Sequence, residues 1–286
     1  MTAILISPKD LSESMPDDMV LIDTRDPDSY ATDHIEGAIN VHEIFTYLAT
    51  SSPEGMLELK EKFITAFGAC GLDGTKTAVL YEESMNTGFG QSCRGYFLLS
   101  YLGYPNIKVL HGGLQAWKEQ GLPVSNAEVI PTPVKFPELP MNTALMLTTE
   151  QVKQALDDSS IALLDVRDID EWIGTSSSPY GKDFCPRKGR IPSAVWIEWY
   201  RLMKPTASGP MIKSKDEVLA ECATVGISVD TTVYIYCFKG ARASNSFLAL
   251  KEAGVKDVRI YFGSWNEWSR DEELPINEGL PFTEPA

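Results

Sequence analysis

Cys237 is one of five cysteines, and several features around it favour an ionised thiol. It follows a β-branched and aromatic run, Val233–Tyr236, and the residues after Gly240 have the apolar spacing of a helix. In such a strand–turn–helix loop, backbone N–H groups and the positive end of the helix dipole converge on the centre. Lys239 and Arg242 add two cations. Because the thiolate is the nucleophilic form of cysteine, the pattern predicts a reactive thiol at Cys237.

Two other interpretations of this loop are open. A free cysteine at a strand end is commonly a small buried core residue, and the neighbouring cations would then be incidental. A phosphatase loop also pairs a cysteine with an arginine, but it needs one residue more than the four that separate Cys237 from Arg242. The smaller ring favours one additional sulfur atom on Cys237 over a phosphoryl group.

The two halves of the chain repeat one pattern in the same order, which indicates an internal duplication. Three blocks of the first half match three blocks of the second. The matched pairs are VLIDTRDPDSY (20–30) with ALLDVRDIDEW (162–172), HIEGAINV from His34 with RIPSAVWI from Arg190, and VLHGGLQAWKEQGLPV (109–124) with IYFGSWNEWSRDEELPI (260–276).

The first matched block contains an Asp-x-Arg element in each half. Asp23 and Asp165 could be a pair of catalytic carboxylates. An aspartate directly after a buried strand more commonly caps the next turn, however, and the arginine two residues on can pair with it. The pattern therefore favours a structural role for both aspartates.

Short apolar runs alternate with helical patterns in each half. Such alternation predicts βαβ units, and hence an α/β fold with a mainly parallel sheet and helices on both faces in each of two domains. We place the first domain at 1–125, a proline-rich extended linker at 126–144 and the second domain at 145–286. Active sites of such folds lie at the carboxyl ends of strands, which is where Cys237 falls.

The charge and composition of the chain exclude several classes of partner. A net charge of −15 without a basic block makes nucleic acid and anionic membranes poor partners. No apolar stretch reaches the roughly 18 residues of a membrane span, and the N-terminus lacks a basic segment, so we expect a cytoplasmic protein. The cysteines lack CxxC spacing, which argues against a zinc site and against a disulfide framework.

The cysteine loop, the Asp-x-Arg elements and the HIEGA and GSWNEW blocks together resemble the tandem-domain rhodaneses, the thiosulfate and 3-mercaptopyruvate sulfurtransferases. The resemblance covers most of both halves. It implies two rhodanese-like domains, an inactive first and a catalytic second, with the catalytic site near their interface. Alignment of residues 77–81 with 232–236 places Glu82 opposite Cys237. Since a carboxylate cannot carry a sulfane sulfur, we expect the first domain to be inactive.

The resemblance also implies a double displacement that needs no metal and no organic cofactor. The Cys237 thiolate would take a sulfur from a small anionic donor, become a persulfide, and pass the sulfur to cyanide, a thiol or a protein acceptor. The loop N–H groups would stabilise the persulfide, and the loop cations would bind the donor. The predicted loop residues are Phe238, Lys239, Gly240, Ala241 and Arg242.

A basic cluster, Arg187, Lys188 and Arg190, precedes the IPSA block. Tandem sulfurtransferases carry donor-binding arginines at this place, so the resemblance implies donor binding by these three residues. The alternative is that the cluster is a solvated loop.

The loop sequence Cys-Phe-Lys-Gly-Ala-Arg bears on the identity of the donor. Loops specific for thiosulfate resemble Cys-Arg-Lys-Gly-Val-Thr, and those specific for mercaptopyruvate resemble Cys-Gly-Ser-Gly-Val-Thr. Lys239 matches the first form, Phe238 matches neither, and Arg242 supplies a cation where both have Thr. We therefore predict thiosulfate as the donor. The alternatives are 3-mercaptopyruvate as donor, or a persulfide carrier or sensor with little turnover on small molecules.

Overall fold

The computed structural model describes residues 3–14, 18–181 and 184–281, which form two units. Each unit includes a short segment from the other half of the chain. The predicted domains follow the sequence repeat, whereas these units follow spatial contacts. The two divisions differ in those two segments and in the predicted linker, most of which belongs to the first unit. The first unit comprises Met1–Tyr47, Met56–Thr143 and Met203–Ile212, and the second comprises Leu48–Gly55, Ala144–Leu202 and Lys213–Ala286.

The first half of the chain contributes seven strands and six helices to the described residues. The strands are β1 (Leu5–Ile6), β2 (Met19–Asp23), β3 (His34–Ile35), β4 (Ile39–Asn40), β5 (Thr77–Tyr81), β6 (Ile107–Leu110) and β7 (Val124–Ser125). The helices are α1 (Pro8–Ser14), α2 (Pro27–Thr32), α3 (Glu43–Thr46), α4 (Pro53–Ala69), α5 (Gln91–Tyr101) and α6 (Gly113–Glu119). A parallel sheet forms in the order β1-β6-β5-β2-β4, beside a small antiparallel pair, β3–β7.

The second half repeats this arrangement. Its strands are β8 (Met146–Leu147), β9 (Ile161–Asp165), β10 (Val195–Trp196), β11 (Met203–Thr206), β12 (Gly209–Ile212), β13 (Thr232–Tyr236) and β14 (Asp257–Tyr261). Its helices are α7 (Thr149–Ala155), α8 (Ile169–Trp172), α9 (Lys215–Ala223), α10 (Ala241–Ala253) and α11 (Ser264–Trp268), with 3-10 turns at Thr143–Leu145 and Trp199–Leu202. Five parallel strands in the order β10-β9-β13-β14-β8 confirm the predicted α/β class and its duplication. Within the described residues, every helix is too short or too polar to cross a bilayer.

The antiparallel hairpin β11–β12 comes from the second half of the chain but belongs to the first unit. The N–H of Ile212 donates a hydrogen bond to Nε2 of His111 at 3.0 Å. Residues 126–142 of the predicted linker form neither helix nor strand, and they belong to the same unit. The N–H of Val134 donates to the carbonyl of Gly68 at 2.9 Å, and the buried Phe136 ring lies 5.6 Å from the Tyr104 ring. These contacts hold the middle of the linker on the first unit.

The repeated aspartate and arginine form a buried ion pair at the carboxyl end of a central strand in each unit. Nη2 of Arg167 lies 2.6 Å from Oδ2 of Asp165, and the equivalent distance from Arg25 to Asp23 is 2.7 Å. Both aspartate side chains are fully buried. Their oxygens also accept the backbone N–H two residues on, at 2.9 Å in both units. The predicted structural role of the Asp-x-Arg element is thereby confirmed.

Asp165→Asn leaves the Arg167 guanidinium buried without its carboxylate, so we expect the free energy of unfolding to fall by about 3–5 kcal/mol. Urea-induced unfolding measures this loss. Asp23→Asn is the matched control, and it should cost less because Arg25 also contacts Glu83 at 2.7 Å. A smaller loss for Asp165→Asn than for Asp23→Asn would contradict this account of the two ion pairs.

Candidate active site

The cysteine loop joins strand β13 to helix α10. Strand β13 ends at Tyr236, so Cys237 is the first residue beyond it, where the sequence predicted the last strand position. The N–H of Gly240 donates to Sγ of Cys237 over 3.1 Å. The cysteine side chain is only 1% exposed. The sulfur therefore lies inside a short loop, with a backbone donor directed at it.

Gly240 has a conformation that the loop requires. Its φ of 92° is in the left-handed region, and it caps the N-terminus of α10. A Cβ atom at this position would lie 2.8 Å from Cδ2 of Phe262 and 3.2 Å from the Phe262 carbonyl oxygen. Both the backbone angle and this close approach exclude larger side chains, so glycine is needed to direct the N–H at the sulfur.

Helix α11 holds the first two loop residues by their backbone. The N–H of Cys237 donates to Oγ of Ser264 at 3.2 Å, and the N–H of Trp265 donates to the carbonyl of Cys237 at 3.0 Å. In the first unit the N–H of Leu114 donates to the carbonyl of Glu82 at 2.9 Å in the same manner. Sequence reasoning missed Ser264, although it lies in the matched GSWNEW block, where the first half has a glycine with positive φ.

Arg242 points to a carboxylate within its own unit. Its Nη1 and Nη2 atoms lie 2.5 and 3.0 Å from the two carboxylate oxygens of Glu171, and Nη1 lies 3.1 Å from Oδ1 of Asp168. Burial opposes the charge on Arg242, but the adjacent Glu171 carboxylate outweighs that effect and holds the pKa of Arg242 above its usual value. Donor binding by Arg242 stays a prediction, since its guanidinium already has these partners.

Glu171 is a second residue that sequence reasoning missed. Comparison of the two repeated halves could have identified it. In the aligned blocks, Ser29 stands where the second half has Glu171, and Ser92, the second residue of α5, stands where α10 has Arg242. The anion and the cation therefore occur together in one copy and are both replaced by serine in the other.

Phe238 and Lys239 meet two aromatic residues from the segment before the basic cluster. The Phe238 ring is buried, with the Tyr180 ring centroid 5.3 Å away and that of Phe184 5.8 Å away. Nζ of Lys239 lies 5.1 Å from the Tyr180 ring centroid. The phenylalanine that matched neither donor-specific loop is thus covered by an aromatic cluster, and the lysine lies against the same cluster.

The basic cluster is largely bound to backbone. Nη1 of Arg187 donates to the carbonyl of Leu274 at 2.7 Å, and its other guanidinium nitrogens bind carbonyls at the C-terminal end of α11. Nη1 of Arg190 donates to the carbonyl of Gly279 at 2.7 Å, with the guanidinium carbon 5.0 Å from the Trp172 ring centroid. Lys188 is half-buried. These contacts stabilise the loop around the cluster, and donor binding by it stays a prediction.

Glu82 follows β5 as Cys237 follows β13, as the alignment predicted. The carboxylate accepts the N–H of Gln91 at 3.0 Å and Oγ–H of Ser92 at 2.9 Å. Burial raises the pKa of Glu82 from 4.5 to about 8, although these hydrogen bonds favour the ion. The loop also differs in length, since α5 begins only at Gln91. The first unit thus places a carboxyl group where the second places its sulfur.

The remaining cysteines lie in different surroundings. Burial raises the pKa of the Cys70 thiol to about 12 and that of Cys222 to about 11, so both are poor nucleophiles at neutral pH. Burial also raises the pKa of Cys185. Cys93 is buried in α5, consistent with its packing role. Across the described residues, histidine, cysteine, aspartate and glutamate form no group of three or more that could hold a metal ion.

Two segments, residues 7–120 and 148–271, match the rhodanese-like domain model, so the chain belongs to the rhodanese-like domain family. A thiosulfate sulfurtransferase from Pseudomonas aeruginosa is 28% identical over 275 residues, 96% of each chain. The sulfur carrier protein TtuD from Thermus thermophilus is 28% identical over 96% of this chain and 97% of its own. A solved structure of the anaerobic ergothioneine biosynthesis enzyme from Chlorobium limicola, bound to trimethyl histidine, has a TM-score of 0.82 and 25% identity over 97% of this chain and 71% of that one.

Gly240→Ala should displace the loop, because an L-residue with this φ costs about 1–2 kcal/mol and its Cβ would meet Phe262. We expect alkylation of Cys237 by iodoacetamide to change by a factor of about 10 or more, read as the modified peptide by mass spectrometry. Gly226→Ala is the control. Its φ of 78° is similar, but no described atom lies within 4 Å of the added Cβ. Equal alkylation rates in both variants would refute the assigned role of Gly240.

Glu82 should make stability depend on pH. Its folded pKa of about 8 exceeds its usual 4.5, so between these values the folded state holds a proton that the unfolded state releases. Stability from this group is therefore complete below pH 4.5 and is lost as pH rises towards 8, by at most about 1.4 kcal/mol per pH unit. Relative to Glu82→Gln, wild type should lose stability over that range in urea unfolding. A pH-independent difference between the two proteins would contradict this.

Proposed function

We propose that the chain transfers a sulfane sulfur from thiosulfate to a thiophilic acceptor through a persulfide on Cys237. The observation that carries this proposal is the N–H of Gly240 directed at Sγ of Cys237 at 3.1 Å. A fixed donor in a buried loop stabilises negative charge on sulfur, whether that sulfur is the thiolate or the outer atom of a persulfide. Membership of the rhodanese-like family and a relative named thiosulfate sulfurtransferase support the same reaction.

The reaction consists of two displacements. The Cys237 thiolate attacks the outer sulfur of thiosulfate, a new S–S bond forms, the S–S bond of the donor breaks, and sulfite leaves with the electron pair. Cyanide or a thiolate then attacks the outer sulfur of the persulfide. The product is thiocyanate or a new persulfide, and the Cys237 thiolate is restored. The residues of this chain hold the loop, stabilise sulfur charge and bind the anionic donor.

The contacts of Arg242 favour a sulfur atom over a phosphoryl group as the cargo. A loop that binds a phosphoryl group uses an arginine fork on the phosphate oxygens. Here the fork lies on Glu171, at 2.5 and 3.0 Å. Arg242 therefore acts as a fixed positive charge in the loop, and a sulfane sulfur needs no more than the backbone donors.

Lys239 supports thiosulfate as the donor, because it provides the cation of the thiosulfate-type loop and no hydroxyl stands at its position. The basic cluster would add positive potential at longer range. Arg187 connects the basic cluster to α11, the helix that holds the cysteine loop, since its carbonyl accepts Nε1–H of Trp265 at 3.3 Å. A higher kcat/KM with 3-mercaptopyruvate than with thiosulfate would reassign the donor.

A second candidate function is a persulfide carrier that delivers sulfur to a protein. The relative named sulfur carrier protein TtuD, which matches over nearly the whole chain, favours it. Both functions share the Cys237 persulfide and differ in the acceptor. Slow turnover with cyanide and small thiols, combined with a stable persulfide, would favour the carrier.

Incubation with thiosulfate should add one sulfur atom to the intact protein, and cyanide should remove it as thiocyanate. Intact-mass spectrometry follows the first step and a colorimetric thiocyanate assay the second. Cys237→Ser should abolish both. Cys222→Ser, which removes another buried thiol, should leave both unchanged. Addition of a sulfur atom to the Cys237→Ser protein would contradict the proposal.

A further inference from the structure

Three aromatic side chains surround one side of the cysteine loop. The Phe238 ring contacts the rings of Tyr180 and Phe184, whose centroids are 5.4 Å apart. Phe238 is buried, whereas Tyr180 and Phe184 are 50% and 49% exposed. We call these three residues the aromatic cluster. It covers the side chain that directly follows the nucleophile, and two of its rings remain half exposed.

The Lys239 ammonium lies over one ring of the aromatic cluster. Its Nζ is 5.1 Å from the Tyr180 centroid, within the range of a cation–π interaction. A lysine stem has several rotatable bonds and loses conformational freedom when its end is held in one place. The Tyr180 face offsets part of that loss, and the contact with the buried Phe238 ring holds the Tyr180 ring itself. The geometry thus keeps the ammonium beside the loop.

We propose that Tyr180 is a positioning residue that holds the Lys239 ammonium where it binds the oxygen atoms of the sulfur donor. The ligand class is a small sulfur oxyanion, such as thiosulfate or the sulfite that leaves from it, so the inference rests on the proposed function for its choice of donor. In a chain of net charge −15, attraction of a dianion requires a cation held in place.

Sulfite is a suitable probe because it binds as the donor's oxyanion does and carries no sulfur to transfer. Its affinity is measured by isothermal titration calorimetry. Tyr180→Leu should weaken sulfite binding about 3- to 10-fold. Tyr180→Phe should bind like wild type, because it keeps the ring face. Phe184→Leu, the control for lost apolar cover, should change affinity by less than about twofold.

A double-mutant cycle with Lys239→Met separates positioning from a general structural effect. In the Lys239→Met background, Tyr180→Leu should cause no further loss of sulfite affinity. With thiosulfate as substrate, Tyr180→Leu should raise KM by the same 3- to 10-fold factor, about that of the sulfite constant, while kcat stays within about twofold.

Three results would overturn the inference: wild-type sulfite affinity in Tyr180→Leu, an equal loss in Tyr180→Phe, or an undiminished effect of Tyr180→Leu in the Lys239→Met background. Normal transfer from thiosulfate alongside any of these leaves the proposed function intact. Failure of the proposed function can also be distinguished from failure of this inference. If sulfite binding follows the expected pattern but wild type transfers no sulfur, the inference stands and thiosulfate transfer is contradicted.

Discussion

A sulfur atom that is almost fully buried carries negative charge only if its surroundings replace the water it has lost. That requirement shapes the second unit. Among the charged or polar groups that the fold places around Cys237 are the Gly240 N–H, the start of α10 and the Arg242 guanidinium. Each of them is fixed by packing or by a hydrogen-bonded partner. Fixed dipoles in a site that excludes water stabilise charge more strongly than the same groups in solvent.

In the first unit the equivalent buried group is not stabilised in its charged form. Its sheet has the same strand order and its Asp-x-Arg ion pair has nearly the same length. The buried group there is Glu82, and its environment holds the pKa near 8, so the loop favours a neutral carboxyl group. Duplication therefore preserved the scaffold, whereas the two loops diverged in charge. Ser29 and Ser92 replace the ion pair that Glu171 and Arg242 form in the second unit.

The cations of the second unit have different partners and different roles. Arg242 is an internal charge, bound in a fork by Glu171, and it stabilises the loop. Lys239 lies against the Tyr180 ring and is the cation we associate with the donor. Arg187 and Arg190 bind carbonyls and fix the chain around them. Each of these cations thus has its own set of partners in the second unit.

The sequence by itself determined the duplication, the two parallel sheets, the structural Asp-x-Arg element, the strand–loop–helix that holds Cys237 and the substitution of Glu82. These features follow from local periodicity and from spacing within short segments, which two matched halves make visible twice. Only the tertiary structure decided which partners the charged side chains take. Arg242 and its carboxylate are 71 residues apart in the chain, and Arg187 is 87 residues from the carbonyl of Leu274. Tyr180 and Lys239 are likewise far apart in the chain. Such contacts depend on how loops pack over the strand ends, and residue spacing along the chain carries no information about that packing.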